Sequence, residues 1–172
     1  ELMAKYFFDN YKGIKKGKLL EVGAGKGLFL KHISKLLPNM ELYGLEPSKY
    51  AAHFFKKNLP KIKFDQNSLE LSKFRKTKFD IVVSTGVIEH VNNPDEFLKI
   101  TSQLLNPKGI MFLCLPNFES KVDDLILYDH LSKLTKYSLN FLFNKNKLQL
   151  KKQNISKKRV WIWNILKKAN HQ

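Results

Sequence analysis

Short apolar runs alternate with segments of helical period along most of this chain, and this alternation limits the fold more than any other feature. The apolar runs are residues 18–22, 41–46, 62–64, 79–85 and 109–116. Helical spacing of apolar residues predicts helices over residues 1–12, 28–37, 48–58, 95–105 and 133–143. Such an order predicts an α/β fold with a doubly wound, mostly parallel sheet and helices on both faces.

The C-terminal part of the sequence is harder to assign. Residues 147–155 alternate partially and predict a further strand, whereas KKRVWIWNILKK (157–168) is basic with an apolar middle. We therefore expect a sheet that is truncated at its C-terminal strands. Because the chain starts at Glu1 in a helical pattern, we also expect it to be a piece of a longer protein.

Length and cysteine content narrow the class of protein. A chain of 172 residues has the size of one domain with a single sizeable core. It has no apolar run long enough to span a membrane. Cys114 is the only cysteine, so a disulfide framework or a multi-cysteine metal site is excluded within this chain, and we expect a cytoplasmic protein. Within its apolar run, Cys114 is expected to be a core residue.

The net charge of +16 is concentrated near the C-terminus. Residues 131–172 hold 11 basic residues and no acid. Tryptophans between basic flanks suit a helix on an anionic membrane surface, and less well a nucleic acid. A solvated terminal helix that packs its Trp residues on the core is the structural alternative. The excess of lysine over arginine also fits an AT-rich genome, which weakens a functional interpretation of the charge.

A glycine-rich turn, VGAGKG (22–27), follows the first apolar run directly. Such a turn lets the backbone approach a ligand closely. The phosphate-binding GxxxxGK[ST] pattern fails, since Gly27 stands where Ser or Thr is required. The dinucleotide pattern GxGxxG is weak, since Leu28 stands at its third glycine.

The E-x-G-x-G-x-G pattern that begins at Glu21 resembles the first motif of the class I S-adenosylmethionine-dependent methyltransferases. FDIVVSTGVIEHV (79–91) resembles the family's fourth strand and its "VLEHV" continuation. LNPKGIMFLCLPN (105–117) and DHLSKLTKYSLNFLF (129–143) resemble its fifth strand and a late His-containing segment. The resemblance implies a Rossmann-like fold and one methyltransferase domain over residues 1–172. In it, about 15–120 would form the cofactor-binding core, and 121–172 an acceptor-side segment with a basic tail.

The resemblance implies S-adenosylmethionine as cofactor and a set of residues that bind it. The glycine turn would line the methionine and ribose, Glu46 would hold the ribose hydroxyls, and two further segments would flank the adenine and methionine. These predicted cofactor-binding residues are Glu21, Gly23, Ala24, Gly25, Gly27, Glu46, Pro47, Asn67, Ser68, Ser84 and Thr85. Two positions depart from the family pattern, because Ser68 and Gly86 stand where members often carry an acid.

Methyl transfer to a hydroxyl or amine needs alignment of the reactants and a proton acceptor. His130 and His90 are the candidate general bases, because imidazole titrates near neutral pH. Each has a structural alternative, and for His90 a contact with Glu89 or a helix cap is the favoured one. The spacing of His, Cys and Asp residues predicts no dedicated metal site.

Three functions remain open. The leading hypothesis is a metal-independent methyltransferase acting on a small-molecule or glycan acceptor, at oxygen. RNA methylation is suggested by the charge alone, and the position after the fourth apolar run reads STGV rather than an NPPY-type tetrapeptide. A non-catalytic cofactor-binding or interaction domain is the third.

Overall fold

The structure, a computed structural model, describes residues 2–11, 13–120, 129–156 and 160–169. Its helices are α1 (Leu2–Asn10), α2 (Leu28–Leu36), α3 (Lys49–Asn58), α4 (Pro94–Leu104) and α5 (Lys136–Lys145). Its strands are β1 (Gly17–Val22), β2 (Met40–Leu45), β3 (Lys63–Asp65), β4 (Phe79–Thr85), β5 (Leu105–Pro116), β6 (Leu148–Ile155) and β7 (Trp161–Lys168). Two short 3₁₀ helices cover Lys73–Lys76 and Ile88–His90.

The seven strands form one sheet in the order β3-β2-β1-β4-β5-β7-β6. β3, β2, β1, β4 and β5 are parallel neighbours, and strand order reverses between β1 and β4. In such a sheet ligands bind beyond the carboxyl ends of the strands, next to the reversal. The predicted α/β class with a mostly parallel sheet is confirmed.

The expectation of a truncated sheet is wrong, because the C-terminal residues supply two complete strands. β7 pairs antiparallel with β5 on one side and with β6 on the other, so it lies inside the sheet. Ile162, Asn164 and Leu166 alternate along β7 and are buried on one face. The apolar middle of the basic tail is therefore a strand and not a membrane-surface or terminal helix. Lys157, Lys158 and Arg159 of that tail lie outside the described residues.

Helices cover both faces of the sheet. One apolar layer joins α1, α2 and α3 to the sheet through residues such as Phe7, Leu30 and Phe55. The other joins α4 and α5 to it through residues such as Leu98 and Phe143. From Ile81 to Val83 the side chains of β4 alternate between the two layers, which is the period expected of a strand buried on both sides.

Local sequence explains how the helices start. Ser48 accepts a hydrogen bond from the Ala51 N–H and so begins α3. Asn93 accepts one from the Glu96 N–H, and Pro94 follows as the first residue of α4. Within the part of the chain that the structure describes, no helix has the length and apolar character needed to cross a membrane. Cys114 lies in the core as predicted, and burial raises the pKa of its thiol.

Candidate functional site

A cavity of about 790 Å³ lies at the carboxyl ends of β1 and β4, where strand order reverses. Its walls come from the start of α1, the glycine turn after β1, the start of α2 and the end of β4. The lining residues are Leu2, Met3, Lys5, Glu21, Gly23, Ala24, Lys26, Leu28, Phe29 and Thr85. The cavity therefore combines an apolar wall from the helices with one carboxylate and two lysines.

The glycine turn is tied to the end of β2 by its backbone. The N–H groups of Gly23 and Ala24 both donate to the Leu45 carbonyl, at 2.8 and 2.9 Å. The Gly27 N–H closes the turn by donating to the Ala24 carbonyl at 2.7 Å. These bonds hold the end of β1 against the end of β2 and fix the path of the turn.

Two glycines of the turn are needed for different reasons. Gly25 has a φ of +50°, and a Cβ added there would have no atom of the described residues within 4 Å. Gly27 has a φ of +74°, and its Cβ would lie 2.7 Å from the Phe55 ring and closer still to Leu59. Both backbone conformations disfavour other residues. Gly27 thus lets the residue before α2 lie close to Phe55 of α3 and to Leu59, whereas Gly25 faces open space among the described residues.

Glu46 follows β2 and joins the turn to the start of α3. Its Oε2 accepts the Gly25 N–H at 2.9 Å, and its Oε1 accepts the Ser48 N–H at 2.9 Å. A carboxylate offers about four acceptor positions, so each oxygen keeps one position for another donor. The carboxylate is therefore fixed in orientation and still able to accept two hydroxyl groups.

Glu21 is a buried carboxylate at the end of β1, with a residue exposure of 3%. Burial raises its pKa well above 4.5, although a hydrogen bond from the Leu30 backbone lowers it; the nearby Glu46 charge raises it further. Its Oε2 has no hydrogen-bond partner among the described residues. A buried carboxylate oxygen without a donor is costly, so this atom is suited to a cationic or donor group of a ligand.

Asp65 organises the loop after β3. It accepts hydrogen bonds from the Asn67 side chain, the Ser72 hydroxyl and the Lys73 N–H at 2.7–2.8 Å. Burial alone would raise the pKa of Asp65, but these three donors together hold it below its usual value. Asn67 is thereby held beside the carboxylate, with Ser68 next to it in the same loop.

The end of β4 brings a second set of residues to the sheet edge. Thr85 lines the cavity, and Ser84 before it is fully buried, with a hydroxyl that has no partner among the described residues. Gly86 follows with a φ of +66° and donates its N–H to the Cys114 carbonyl at 2.9 Å. Among the residues that the structure describes, a Cβ on Gly86 would meet Glu89 and Trp161, at 3.7 and 3.9 Å.

Two histidines meet beyond the end of β4. The rings of His90 and His130 lie edge to face, with centroids 4.9 Å apart. His90 Nδ1 lies 2.7 Å from the Asp129 carbonyl oxygen, which can only accept, so Nδ1 carries the hydrogen. The other ring nitrogen, His90 Nε2, lies 3.9 Å from Glu89 Oε1.

Two buried polar atoms lie close to His90 without a hydrogen-bond partner among the described residues. Glu89 is 1% exposed, and its Oε2 has no hydrogen-bond partner among the described residues; the same holds for His130 Nδ1. Burial raises the pKa of Glu89, although hydrogen bonding to its own backbone and the adjacent His90 lower it. One ligand atom each of Glu89, His90 and His130 lies within 4.8 Å of the others. This set could accept a proton or hold a metal ion.

A family model described as a methyltransferase domain matches residues 3–152. This range includes all helices and strands from β1 through β5, and also α5. The chain belongs to the class I S-adenosylmethionine-dependent methyltransferases. The resemblance found in the motifs is thus confirmed, and the predicted enzyme class and cofactor are those of this family.

Curated relatives match the methyltransferase domain over part of their length. The ubiquinone biosynthesis O-methyltransferase of Pelagibacter ubique is 37% identical over 110 residues, which are 62% of this chain and 45% of that protein. The tRNA U34 carboxymethyltransferase of Campylobacter curvus is 31% identical over 100 residues, 54% of this chain and 32% of that protein. The matches therefore span less than half of either relative.

Solved structures share the fold of the methyltransferase domain at low identity. The plantazolicin methyltransferase BpumL in complex with SAH superposes with a TM-score of 0.78 at 19% identity, over 98% of this chain and 81% of that one. The YcgJ protein of Bacillus subtilis gives a TM-score of 0.78 at 13% identity, over 98% of each chain. At these identities the likeness shows the fold alone.

The structure brings most predicted site residues together around the glycine turn. Glu21, Gly23, Ala24 and Thr85 line the cavity. Four more lie in or beside the turn, or next to Thr85: Gly25, Gly27, Glu46 and Ser84. Pro47 is exposed directly after Glu46, whereas Asn67 and Ser68 lie in the loop after β3 and do not line the cavity. Their roles in binding stay predictions, as do those of His90 and His130.

Two features of the methyltransferase domain had no signal in the local sequence. α1 was predicted as a helix, but nothing in it indicates that Leu2, Met3 and Lys5 would border the cavity. Glu89 and His130 are 41 positions apart, so their approach depends on the path of the chain after β5.

Proposed function

We propose that this chain binds S-adenosylmethionine at the carboxyl ends of β1, β2 and β4 and transfers its methyl group to a hydroxyl of a small-molecule acceptor. The observation that carries the proposal is the arrangement of Glu21 and Glu46 on either side of the glycine turn. Glu21 offers an oxygen without a donor, and Glu46 keeps two acceptor positions. Family membership and the O-methyltransferase names of relatives support the same activity.

Each carboxylate suits a different part of the cofactor. Glu46 would accept the two ribose hydroxyls, since its oxygens are already oriented by the Gly25 and Ser48 N–H groups. Glu21 would accept the ammonium of the methionine moiety at its unpaired Oε2. The open space at Gly25 leaves room for a ligand to lie against the turn.

The bound cofactor supplies a methyl group on a sulfonium sulfur, and the acceptor oxygen displaces that sulfur as leaving group. The chain must hold the acceptor in line and take its proton. We assign the proton to His130 Nδ1, which is buried and has no partner among the described residues. His90, held by the Asp129 carbonyl, would pack against the His130 ring and limit its rotation.

Isothermal calorimetry with S-adenosylmethionine and with its demethylated product, S-adenosylhomocysteine (SAH), tests the binding step. We expect micromolar affinity that Glu46→Ala abolishes. Glu41→Ala is the matched control, because Glu41 lies on β2, the strand that leads to Glu46, but is exposed and pairs with Lys63. An absence of binding by the folded wild-type chain would refute the proposal and favour a non-catalytic domain.

Methyl transfer to a panel of phenolic and sugar hydroxyl acceptors tests the chemistry. His130→Ala should lower kcat by about 10²- to 10⁴-fold, the range for loss of a general base. SAH affinity should stay within about twofold of wild type, because His130 does not line the cavity. Wild-type turnover by His130→Ala on an accepted substrate would remove His130 from this role.

RNA methylation is the second candidate, and two observations favour it. One relative is named a tRNA carboxymethyltransferase, and residues 131–172 hold 11 basic residues without an acid. Phosphate contacts make RNA affinity fall steeply with salt. We expect weak binding of a tRNA transcript without methyl incorporation. Strong, salt-dependent binding with methyl incorporation would replace the small-molecule acceptor by RNA.

A further inference from the structure

A second cavity, of about 410 Å³, lies on the face of the sheet that α1 covers, where β5, β7 and β6 run side by side. Ile110 and Ile165 form its apolar lining, and Asn10 and Tyr11 border it at the end of α1. It shares no lining residue with the cavity beside the glycine turn. Its volume falls in the range of small-ligand sites, about 300–1,000 Å³.

The remaining lining of the second cavity is a lysine cluster drawn from three neighbouring strands. Its members are Lys108 of β5, Lys151 and Lys152 of β6, and Lys167 of β7. Lys152 donates to Asn10 Oδ1 at 2.7 Å. The other three form no hydrogen bond or ion pair with any residue that the structure describes. Among the described residues, no Asp or Glu lines this cavity.

A bulge in β6 brings two consecutive lysines to the same cavity. The pairing of β6 with β7 shifts between Leu150 and Lys152, which leaves Lys151 without an opposite residue on β7. Consecutive side chains of a regular strand point to opposite faces, whereas a bulge redirects one of them. Lys151 and Lys152 therefore both line the cavity, and the bulge increases its positive charge.

Protection of the sheet edge explains only part of this cluster. Lysines on an edge strand hinder pairing with other chains, and β6 is an edge strand. Lys167, however, belongs to β7 between β5 and β6, and Lys108 belongs to β5. Ammonium groups around one concavity repel each other, and a bound anion offsets that repulsion. The lysine cluster is therefore suited to an anionic ligand.

We propose that the lysine cluster binds the linked phosphates of a small soluble ligand, with a pyrophosphate group as the smallest unit that fits. Lysine ammonium groups bind phosphate as point charges, and several of them without an acid favour a polyanion over a single carboxylate. The end of α1 closes one side of the cavity, which favours a small ligand over a flat membrane surface. This site is separate from the proposed cofactor site.

Calorimetry of the whole chain with pyrophosphate and with inorganic phosphate, at low ionic strength, tests the inference. We expect pyrophosphate to bind about tenfold more tightly than phosphate. The double variant Lys151→Gln, Lys167→Gln should weaken pyrophosphate about tenfold, since each exposed ion pair contributes up to a few-fold in affinity. The variant should fold, because loss of like charges reduces repulsion, and its melting temperature checks this.

The double variant Lys57→Gln, Lys61→Gln is the matched control. It removes the same charge from exposed lysines at α3 and in the loop after it, and α3 packs on β3 in the other half of the sheet. Its pyrophosphate affinity should be that of wild type. An equal loss in this control, or wild-type affinity in the Lys151 and Lys167 variant, would overturn the assignment.

Three further outcomes would also overturn the proposed site. Competition between pyrophosphate and SAH would place the anion in the cavity beside the glycine turn. If pyrophosphate does not bind, but phosphatidylglycerol vesicles bind wild type and not the Lys151 and Lys167 variant, the lysine cluster is a membrane contact. The same pattern with a tRNA transcript would make it an RNA contact.

Discussion

Gly25 and Gly27 stand two residues apart in one turn, yet alanine at the two positions should have different effects. Both have positive φ, so alanine costs about 1–2 kcal/mol of conformational strain at either position. At Gly27 the new Cβ would also meet the Phe55 ring at 2.7 Å, and Phe55 is fully buried. Overpacking of this kind adds about 1–3 kcal/mol.

We therefore expect Gly27→Ala to lower the free energy of unfolding by about 2–5 kcal/mol and Gly25→Ala by about 1–2 kcal/mol. Urea denaturation followed by tryptophan fluorescence measures both, because Trp161 and Trp163 lie in β7 and report on the whole sheet. Equal losses at the two positions would refute the packing argument.

The loss of SAH affinity should follow the opposite order to the loss of stability, with the larger effect in Gly25→Ala. Gly25 has open space in front of it, which the proposed function assigns to the ligand. Gly25→Ala should weaken SAH tenfold or more, whereas folded Gly27→Ala should bind more nearly as wild type. Wild-type affinity in Gly25→Ala would mean that no ligand occupies the space in front of the turn.

Two further predictions concern titration and metal. The pKa of Glu21 is raised in the folded state, so its contribution to stability is present at low pH and is lost as the pH rises from 4.5 to that raised value. Glu21→Gln should remove this loss. In urea denaturation, the free energy of unfolding of Glu21→Gln relative to wild type should therefore rise by up to about 1.4 kcal/mol per pH unit in that window. A relative free energy that falls as the pH rises would contradict the assignment. EDTA should leave methyl transfer unchanged, because displacement at a sulfonium needs no Lewis acid. Stoichiometric Zn²⁺ binding by wild type in calorimetry that His130→Ala loses would instead show that Glu89, His90 and His130 hold a metal ion.

The first five strands could be predicted because each is a local apolar run bounded by turn residues. β4, for example, carries four apolar residues in its seven positions and is followed directly by Gly86, and β5 ends at Pro116. β7 could not be assigned in the same way, since Lys167 and Lys168 at its end resemble a solvated tail. β7 is recognised as a strand with a buried face only from its pairing with β5 on one side and β6 on the other.

The residues of the candidate site likewise differ in whether the local sequence predicts their position. The glycine turn and Glu46 belong to motifs with fixed local spacing, so their neighbourhood was predictable. The orientation of the His90 ring depends on the Asp129 carbonyl, 39 positions away. Lys5 reaches the cavity because α1 packs on α2, a tertiary contact that no motif encodes.

The interior position of β7 sets the order in which this protein can be completed during synthesis. β5 and β6 each have an edge that only β7 covers, and β7 is the last strand along the chain that the structure describes. Until its residues leave the ribosome, both strands present unpaired N–H and C=O groups, a template for pairing between nascent chains. Premature termination before Trp161 would therefore yield a chain prone to aggregation, although its glycine turn and Glu46 are already made.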